Sequence, residues 1–287
     1  MNGKAASAMI IVRPLRSVSE FQEAEEVQVS AWGFEGRRGV TPKDIMIAIN
    51  DNGGLALGAF DGTTMAGFAL LLPGYNGKKV YMYSHQTGVV QKYQSSGVGY
   101  LLKLEQRKIS LKRGCDVIAW TFDPLIARNA HFNFRKLGTI ARNYLVDYYG
   151  QMSSPLNQGW PTDRFLCEWL IRPAAARRVR AFYRLDVVDA HVAIEGMGRE
   201  PYPVCKDWSV DLGARRVLVD IPSDALRLKA QHPADEGRWR EASREVFQRY
   251  FAAGFSAVAL LSHGGGLAYL LTKARLPKTE LAKHARS

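Results

Sequence analysis

Between residues 80 and 112 the chain passes from strand to helix across one short polar turn, and this passage constrains the fold more than any other segment. The run Val89-Val90-Gln91-Lys92-Tyr93-Gln94-Ser95-Ser96-Gly97-Val98-Gly99 reads as a strand end, a glycine-rich turn and a helix opening at Val98. The first N–H groups of a helix have no partner within it and carry partial positive charge, so such a turn suits a phosphate group. Gly97 and Gly99 leave the main chain open to close approach, and Ser95 and Ser96 are small polar caps. The Lys-Ser/Thr pair of a nucleoside-triphosphate loop is missing, and the glycine spacing is not that of a dinucleotide site. Taken alone, the turn reads equally well as a plain structural connection.

The flanking segments alternate in period. A short apolar strand (9–13) stops at Pro14, and a helix (17–32) follows with Ser17 or Ser19 as its cap and Phe21, Ala24, Val27 and Ala31 at helical spacing. Thr41 is the expected cap of a second helix through residue 49, with Pro42 in its first turn. Residues 55–60 and 65–72 form a hairpin across Asp61-Gly62. A strand at 80–90, the loop, a helix from 98 to about 112, a strand at 116–122 and a helix at 127–137 closed by Gly138 come next. Strands at 140–149 and 164–171 complete the sheet.

In this setting the loop resembles the acyl-CoA signature of the GNAT acyltransferase superfamily, Gln/Arg-x-x-Gly-x-Gly/Ala. Gln94, Gly97 and Gly99 fill it, after a hydrophobic-to-aromatic lead-in from Val89 to Tyr93. The order β-α-α-β-β-β-α-β-α-β-β is also that superfamily's, over roughly residues 10–172. Residues 84–89, 121–124 and 127–130 are similar to segments of a little-characterised bacterial branch. The resemblance implies a mixed α/β fold with helices flanking a sheet that splays between its fourth and fifth strands, where the CoA arm enters. It implies that Ser95, Ser96, Gly97, Val98 and Gly99 hold the CoA pyrophosphate, and that Thr87, Val89 and Val90 meet pantetheine through the main chain. Ser95 stands where the superfamily usually has glycine. The implied activity is acyl transfer from acetyl-CoA or succinyl-CoA to the amine of a small molecule such as an amino acid. The amine attacks directly in a ternary complex, without a metal.

Such a transfer needs a deprotonated amine, a stabilised oxyanion and a proton for the departing thiolate. His85, on the fourth strand, has an ordinary pKa of about 6.5 and suits a base near neutrality; its other reading is a histidine hydrogen-bonded for structure. Asp123 closes the fifth strand before Pro124 and reads as a carboxylate for the substrate ammonium or as an Asx-turn group. Asn129, on the next helix, reads as an amide that orders CoA or substrate, or as a surface residue. The superfamily's usual acid is a tyrosine in Tyr-x-Lys-x-Gly, but the run here is Phe134-Arg135-Lys136-Leu137-Gly138. A phenyl ring has no proton to give, so Tyr144, Tyr148 and Tyr149 on the following strand are the replacements, with Tyr148 the expected catalytic acid. Without such an acid, the chain reads instead as a non-catalytic CoA- or acyl-CoA-binding sensor. Arg128 and Arg164 are candidates for holding a carboxylate.

Residues 1–172 are thus expected to form the acyl-CoA-binding domain, followed by a basic linker (173–205), an additional C-terminal α/β subdomain (206–275) and a mobile basic tail (276–287). The subdomain shows a strand at 216–221, an amphipathic helix at 236–253, and a hairpin of 257–261 and 267–271, which resembles a reduced second GNAT-like half. Its bare sheet face calls for the first domain or a second copy of the chain, as in a homodimer. The net charge is +12 over 287 residues, with Arg172, Arg177, Arg178, Arg180 and Arg184 close together. A solvated basic helix, an acidic substrate and a polyanion each account for that cluster. No helix-turn-helix, zinc-finger or RNA-binding signature accompanies it, so nucleic acid is not the expected partner. No apolar run approaches the ~18 residues of a membrane span, and the first eight residues do not read as a secretory signal. Cys115, Cys167 and Cys205 are too widely spaced for zinc or a disulfide framework. They fit a reducing cytoplasm, and as buried, inert thiols they give no sign of an acyl-enzyme.

Overall fold

A computed structural model of the chain describes residues 9–152, 159, 161–198, 203–273, 275–277, 279 and 281. The first eight residues and most of the expected tail lie outside the described residues. The chain forms two compact units, one of Met1–Ile118, Met152–Gly159 and Glu280–Ser287, the other of Ala119–Gln151 and Trp160–Thr279. The division falls inside a strand at Ile118, whereas the sequence suggested a domain end at 172.

In the first unit, strands β1 (Ile11–Pro14), β2 (Leu55–Asp61), β3 (Thr64–Tyr75) and β4 (Val80–Val89) pair antiparallel in that order. The β2–β3 turn falls at Asp61-Gly62 as expected, with Gly62 at φ 60°. Helix α1 (Val18–Trp32) starts at Ser17, whose Oγ accepts from Glu20 N at 3.3 Å, and stops at Gly33 in the left-handed conformation. It buries Phe21, Ala24 and Val27 in a core shared with Met46, Phe60, Phe68 and Leu70. Helix α2 (Lys43–Asp51) lacks the Thr41 cap the sequence suggested: Pro42 occupies the cap position. The Thr41 hydroxyl instead donates to Gln86 Oε1 at 3.1 Å, and its N–H goes to Gln28 Oε1 at 2.7 Å.

Helix α3 (Val98–Lys112) lies on the opposite face of the sheet from α1, and two glycines set both approaches. A Cβ at Gly67 would come within 3.1 Å of Val98 Cγ1 on α3, and one at Gly88 within 3.2 Å of Ala31 Cβ on α1. A Cβ at Gly67 would also meet Gly88 O on the neighbouring strand at 2.8 Å, so both positions favour the close approach that glycine allows.

The second unit holds the remainder of β5 (Val117–Phe122) and a sheet in the order β5, β7 (Arg164–Leu170), β6 (Ile140–Leu145), β11 (Ser256–His263), β12 (Gly266–Thr272), β10 (Arg216–Ile221), β8 (His191–Met197), β9 (Val204–Trp208). The pairs β7–β6, β6–β11, β11–β12, β12–β10 and β8–β9 are antiparallel, and β10 pairs with β8 in parallel. The C-terminal strands therefore continue the sheet of β6 through the pair Ala257–Ala141. The stretch read as a basic linker contains α5 (Pro173–Ala181) and strand β8. Helix α4 (Ala127–Ala130) runs into a π-helical segment, His131–Leu137, ended by Gly138 at φ 73°. Helices α6 (Ala225–Gln231) and α7 (Pro233–Ala252) complete the unit. Its core is aromatic: Phe247 packs edge to face on Phe165 and Tyr269 at 4.7 and 5.6 Å, and Phe165 meets Tyr269 tilted at 5.2 Å. From β1 to β7 the element order is the one the GNAT resemblance implied.

Candidate functional site

At the end of β4, Val90 N donates to Ala66 O, and a single 3₁₀ turn (Gln91–Tyr93) carries the chain away from the sheet. Three side chains pin the loop. Gln94 Nε2 returns to Val89 O at 3.3 Å, Tyr93 Oη donates to Asp61 Oδ2 at 2.8 Å, and Ser96 Oγ donates to Tyr93 O at 2.5 Å. Ser95 sits at φ 64° and Gly97 at φ 95°, both in the left-handed region. That explains the glycine usual in the superfamily at the Ser95 position: an L-residue there carries about 1–2 kcal/mol of strain.

These turns leave α3 without a side-chain cap and without an acidic residue in its first turn. Tyr100 N and Leu101 N bond back to Gly97 O. Among the described residues, the N–H groups of Ser95, Gly97, Val98 and Gly99 meet no protein acceptor. Four donors at an uncapped helix start form a cradle for an anion. Gly99 adds space. Its φ is not left-handed, and a Cβ there would meet only Val89 Cγ2, at an ordinary 3.7 Å. Neither the backbone nor the packing of the protein demands a glycine at 99, whereas a diphosphate lying against the main chain would.

Strand β4 is tied to α3 by Lys103 Nζ to Ser84 Oγ at 3.0 Å and by Gln106 Nε2 to Thr87 Oγ1 at 3.3 Å. Between those anchors the register with β3 slips: Leu71 faces Ser84 and Leu70 faces Gln86, so His85 has no partner opposite. A bulge of this kind re-aims side chains. The His85 side chain reaches solvent, yet the surrounding protein displaces enough water to hold its pKa below the ordinary histidine value. The imidazole is therefore neutral at pH 7, the form a base requires.

The remaining expected residues belong to the second unit. Asp123 is buried and engaged on both oxygens: Oδ1 accepts from Leu125 N at 3.0 Å, the Asx-turn reading, and Oδ2 from Arg240 Nη2 at 3.0 Å. Arg164 Nη1 stands 3.8 Å from the same oxygen, and Arg240 also bonds Glu236. Burial lowers the Arg164 pKa and raises that of Glu236, while at Arg240 the two carboxylates outweigh burial and raise it. Arg164 is thus an interior cation, while Arg128 and Asn129 are exposed on α4.

Phe134 is fully buried against Phe122 and Tyr269. Tyr144 is buried with its hydroxyl on Asp163 Oδ2 at 2.7 Å, and burial beside that carboxylate lifts its pKa well above the phenol value. Tyr148 and Tyr149 do not lie on the strand as expected, because β6 ends at Leu145; they sit in the turn beyond it with rings 4.7 Å apart. Tyr149 Oη shares a 2.8 Å hydrogen bond with Thr121 Oγ1 on β5, a contact no local sequence signal announces.

No family model matches the sequence, and no curated protein matches it. Among solved structures, the chain is similar to the ribosomal-protein-S18-alanine N-acetyltransferase from Escherichia coli, at 16% identity and TM-score 0.46 over 57% of this chain and 94% of that one. It is similar to a protein of Desulfovibrio desulfuricans described as a GNAT-family acetyltransferase, at 17% identity and TM-score 0.45 over 57% and 100%. It is also similar to the PaiA N-acetyltransferase of Thermoplasma acidophilum in complex with coenzyme A, at 19% and 0.40 over 56% and 98%. Likeness at these scores does not carry an activity from one protein to another.

Proposed function

We propose that the protein is an acyl-CoA-dependent N-acyltransferase of the GNAT type, acting on the amine of a small molecule with acetyl-CoA or succinyl-CoA as donor. The observation that carries this reading is the uncapped start of α3, with four unclaimed N–H groups at the positions of Gln94-x-x-Gly97-x-Gly99. Donor chemistry and space both fit a diphosphate: a fixed set of N–H groups, no acidic side chain in the first turn, and a Gly99 the protein itself does not need.

Acyl-CoA brings an activated thioester; the chain supplies the rest. The N–H groups from Ser95 to Gly99 hold the diphosphate, and the main chain at Thr87, Val89 and Val90 offers strand-like pairing to the pantetheine arm. A ring nitrogen of His85, neutral at pH 7, takes a proton from the attacking amine. Tyr148 is assigned the return of a proton to the thiolate, in place of the hydroxyl that Phe134 lacks. Asn129, exposed on α4, offers its amide to order CoA or substrate. Asp123, with both oxygens engaged, acts as a positioning residue at the entry to α4 and not as a carrier of protons. Direct attack, without a covalent acyl-enzyme, fits the cysteines: all three are buried, and burial raises the thiol pKa of Cys115 and pushes that of Cys205 up to about 11.

The test pairs calorimetry with free-thiol release, using acetyl-CoA and succinyl-CoA against amino acids, polyamines and other small amines. Amine-dependent thiol release that Gly99→Ala weakens and His85→Gln abolishes is the expected result. CoA binding without turnover across the panel would make the chain a sensor, and absence of CoA binding would overturn the reading.

A further inference from the structure

The second unit carries a concentration of positive charge that acyl transfer does not use. Neither residues 124–145 nor residues 172–185 contain an Asp or Glu. The fold brings these two stretches together, with Arg180 Nη2 3.4 Å from Lys136 O. Arg135, Lys136, Arg177, Arg178, Arg180 and Arg184 are all exposed, and among the described residues none of them has an ion-pair partner. The local field is strong enough that Arg135 and Lys136 add to burial in lowering the pKa of His131. One or two cations near the end of α5 would satisfy its macrodipole; this cluster exceeds that need.

We propose that the α5 face, with Arg135 and Lys136, is a docking surface for a nucleic-acid phosphate backbone, read by charge and not by sequence. Three observations select this partner. All the exposed cations of α5 are arginines, whose planar donors meet phosphate oxygens in pairs. The exposed positions of α5 hold only Pro173, Ala174, Arg177, Arg178, Arg180 and Ala181, so the face has no large apolar side chain to enter a lipid surface. From Arg177 to Arg184 the segment is about 10 Å long, the axial distance over which one strand of a duplex presents about three phosphates, at about 3.4 Å of helix axis each. Backbone docking needs no recognition module, so the lack of a nucleic-acid-binding motif in the sequence does not argue against it. The proposal stands apart from the acyltransferase reading and survives or fails separately.

The experiment is fluorescence anisotropy of the full chain with a labelled mixed-sequence duplex of about 20 base pairs, from 50 to 200 mM NaCl. About four phosphate contacts give a log–log salt slope near −3.6, which is about a 100-fold loss of affinity over that range. Arg177→Glu/Arg178→Glu/Arg180→Glu removes three contacts and should flatten the slope to about −1, with binding at 50 mM NaCl weakened at least tenfold. Lys112→Glu/Lys206→Glu, which reverses exposed cations elsewhere, should leave the slope within about one unit of the parent. Circular dichroism confirms that each variant is folded. Equal binding by the triple variant, equal loss in the control pair, or no duplex binding at 50 mM NaCl would each overturn the proposal. So would binding to phosphatidylserine vesicles in place of the duplex.

Discussion

Replacing Gly99 with alanine should move folding and ligand binding in opposite directions. Gly99 is the second helical residue of α3, its φ is ordinary, and a Cβ meets only Val89 Cγ2 at 3.7 Å. Alanine is worth about 1 kcal/mol over glycine in a helix interior. At this terminal position about half is expected, and Tm should rise by about 1–2 °C. The same methyl fills the space that a diphosphate needs to reach the loop N–H groups. Losing one such charge-assisted hydrogen bond costs about 1.5–3 kcal/mol, so CoA should bind roughly 10- to 100-fold more weakly. Thermal melts with and without CoA, backed by calorimetry, read both effects. CoA at 100 times its Kd adds about 2.7 kcal/mol to the parent protein, and about 1.3–2.3 kcal/mol of that gain should vanish in the variant. Gly97→Ala is the contrasting case: nothing lies within 4 Å of its Cβ, but φ 95° places alanine in strain of about 1–2 kcal/mol, so it should destabilise without any ligand. If Gly99→Ala binds CoA within twofold of the parent, the loop is a structural turn. If it melts several degrees lower, the packing argument itself is wrong.

Because the His85 pKa lies below its ordinary value, the neutral base is lost only as pH falls through that lowered value, so kcat/KM should show an acid limb below about pH 6.5. His85→Gln should cost about 10²- to 10⁴-fold and abolish the limb; unchanged turnover across pH removes the assignment. Tyr148→Phe should lower kcat while leaving CoA affinity unchanged, and a matching loss in Tyr149→Phe alone would move the role to that neighbour. Asp163 is fully buried, and burial would raise its pKa, but the paired hydrogen bonds from Arg244, both 3.0 Å, prevail and lower it. Its contribution to stability is therefore present above the unfolded carboxylate value of about 3.9 and is lost as pH falls through the lower folded value. Arg244→Met should cost about 2–3 kcal/mol in urea unfolding at pH 7, with the gap to the parent narrowing below about pH 4; a constant gap would show that Asp163 is not the cause.

What was legible in the sequence was whatever the chain settles within a few residues. Helix α3 runs Val98–Lys112 as read, because Gly97 and Gly114, both at positive φ, mark its ends, and the β2–β3 turn follows from Asp61-Gly62. What was missed depends on distant partners. Thr41 forgoes its cap because Gln86, 45 residues away, accepts its hydroxyl. The linker reading overlooked β8, whose parallel pairing with β10 is a long-range event. The bulge at His85 exists only relative to the register of β3, and Asp123 is claimed by an arginine 117 residues away. The same division runs through the site. The proposed phosphate cradle is a property of local main chain, so the motif and the observed N–H groups point to the same segment. The acid–base chemistry rests on side chains whose environments are set from afar. The Asp123 carboxylate that sequence offered as a proton relay became half of an Asx turn and half of an ion pair. Under the proposed function, binding of CoA and turnover of an amine are therefore separable. A single substitution at Gly99 interrogates the first, and only turnover by the His85 and Tyr148 variants interrogates the second.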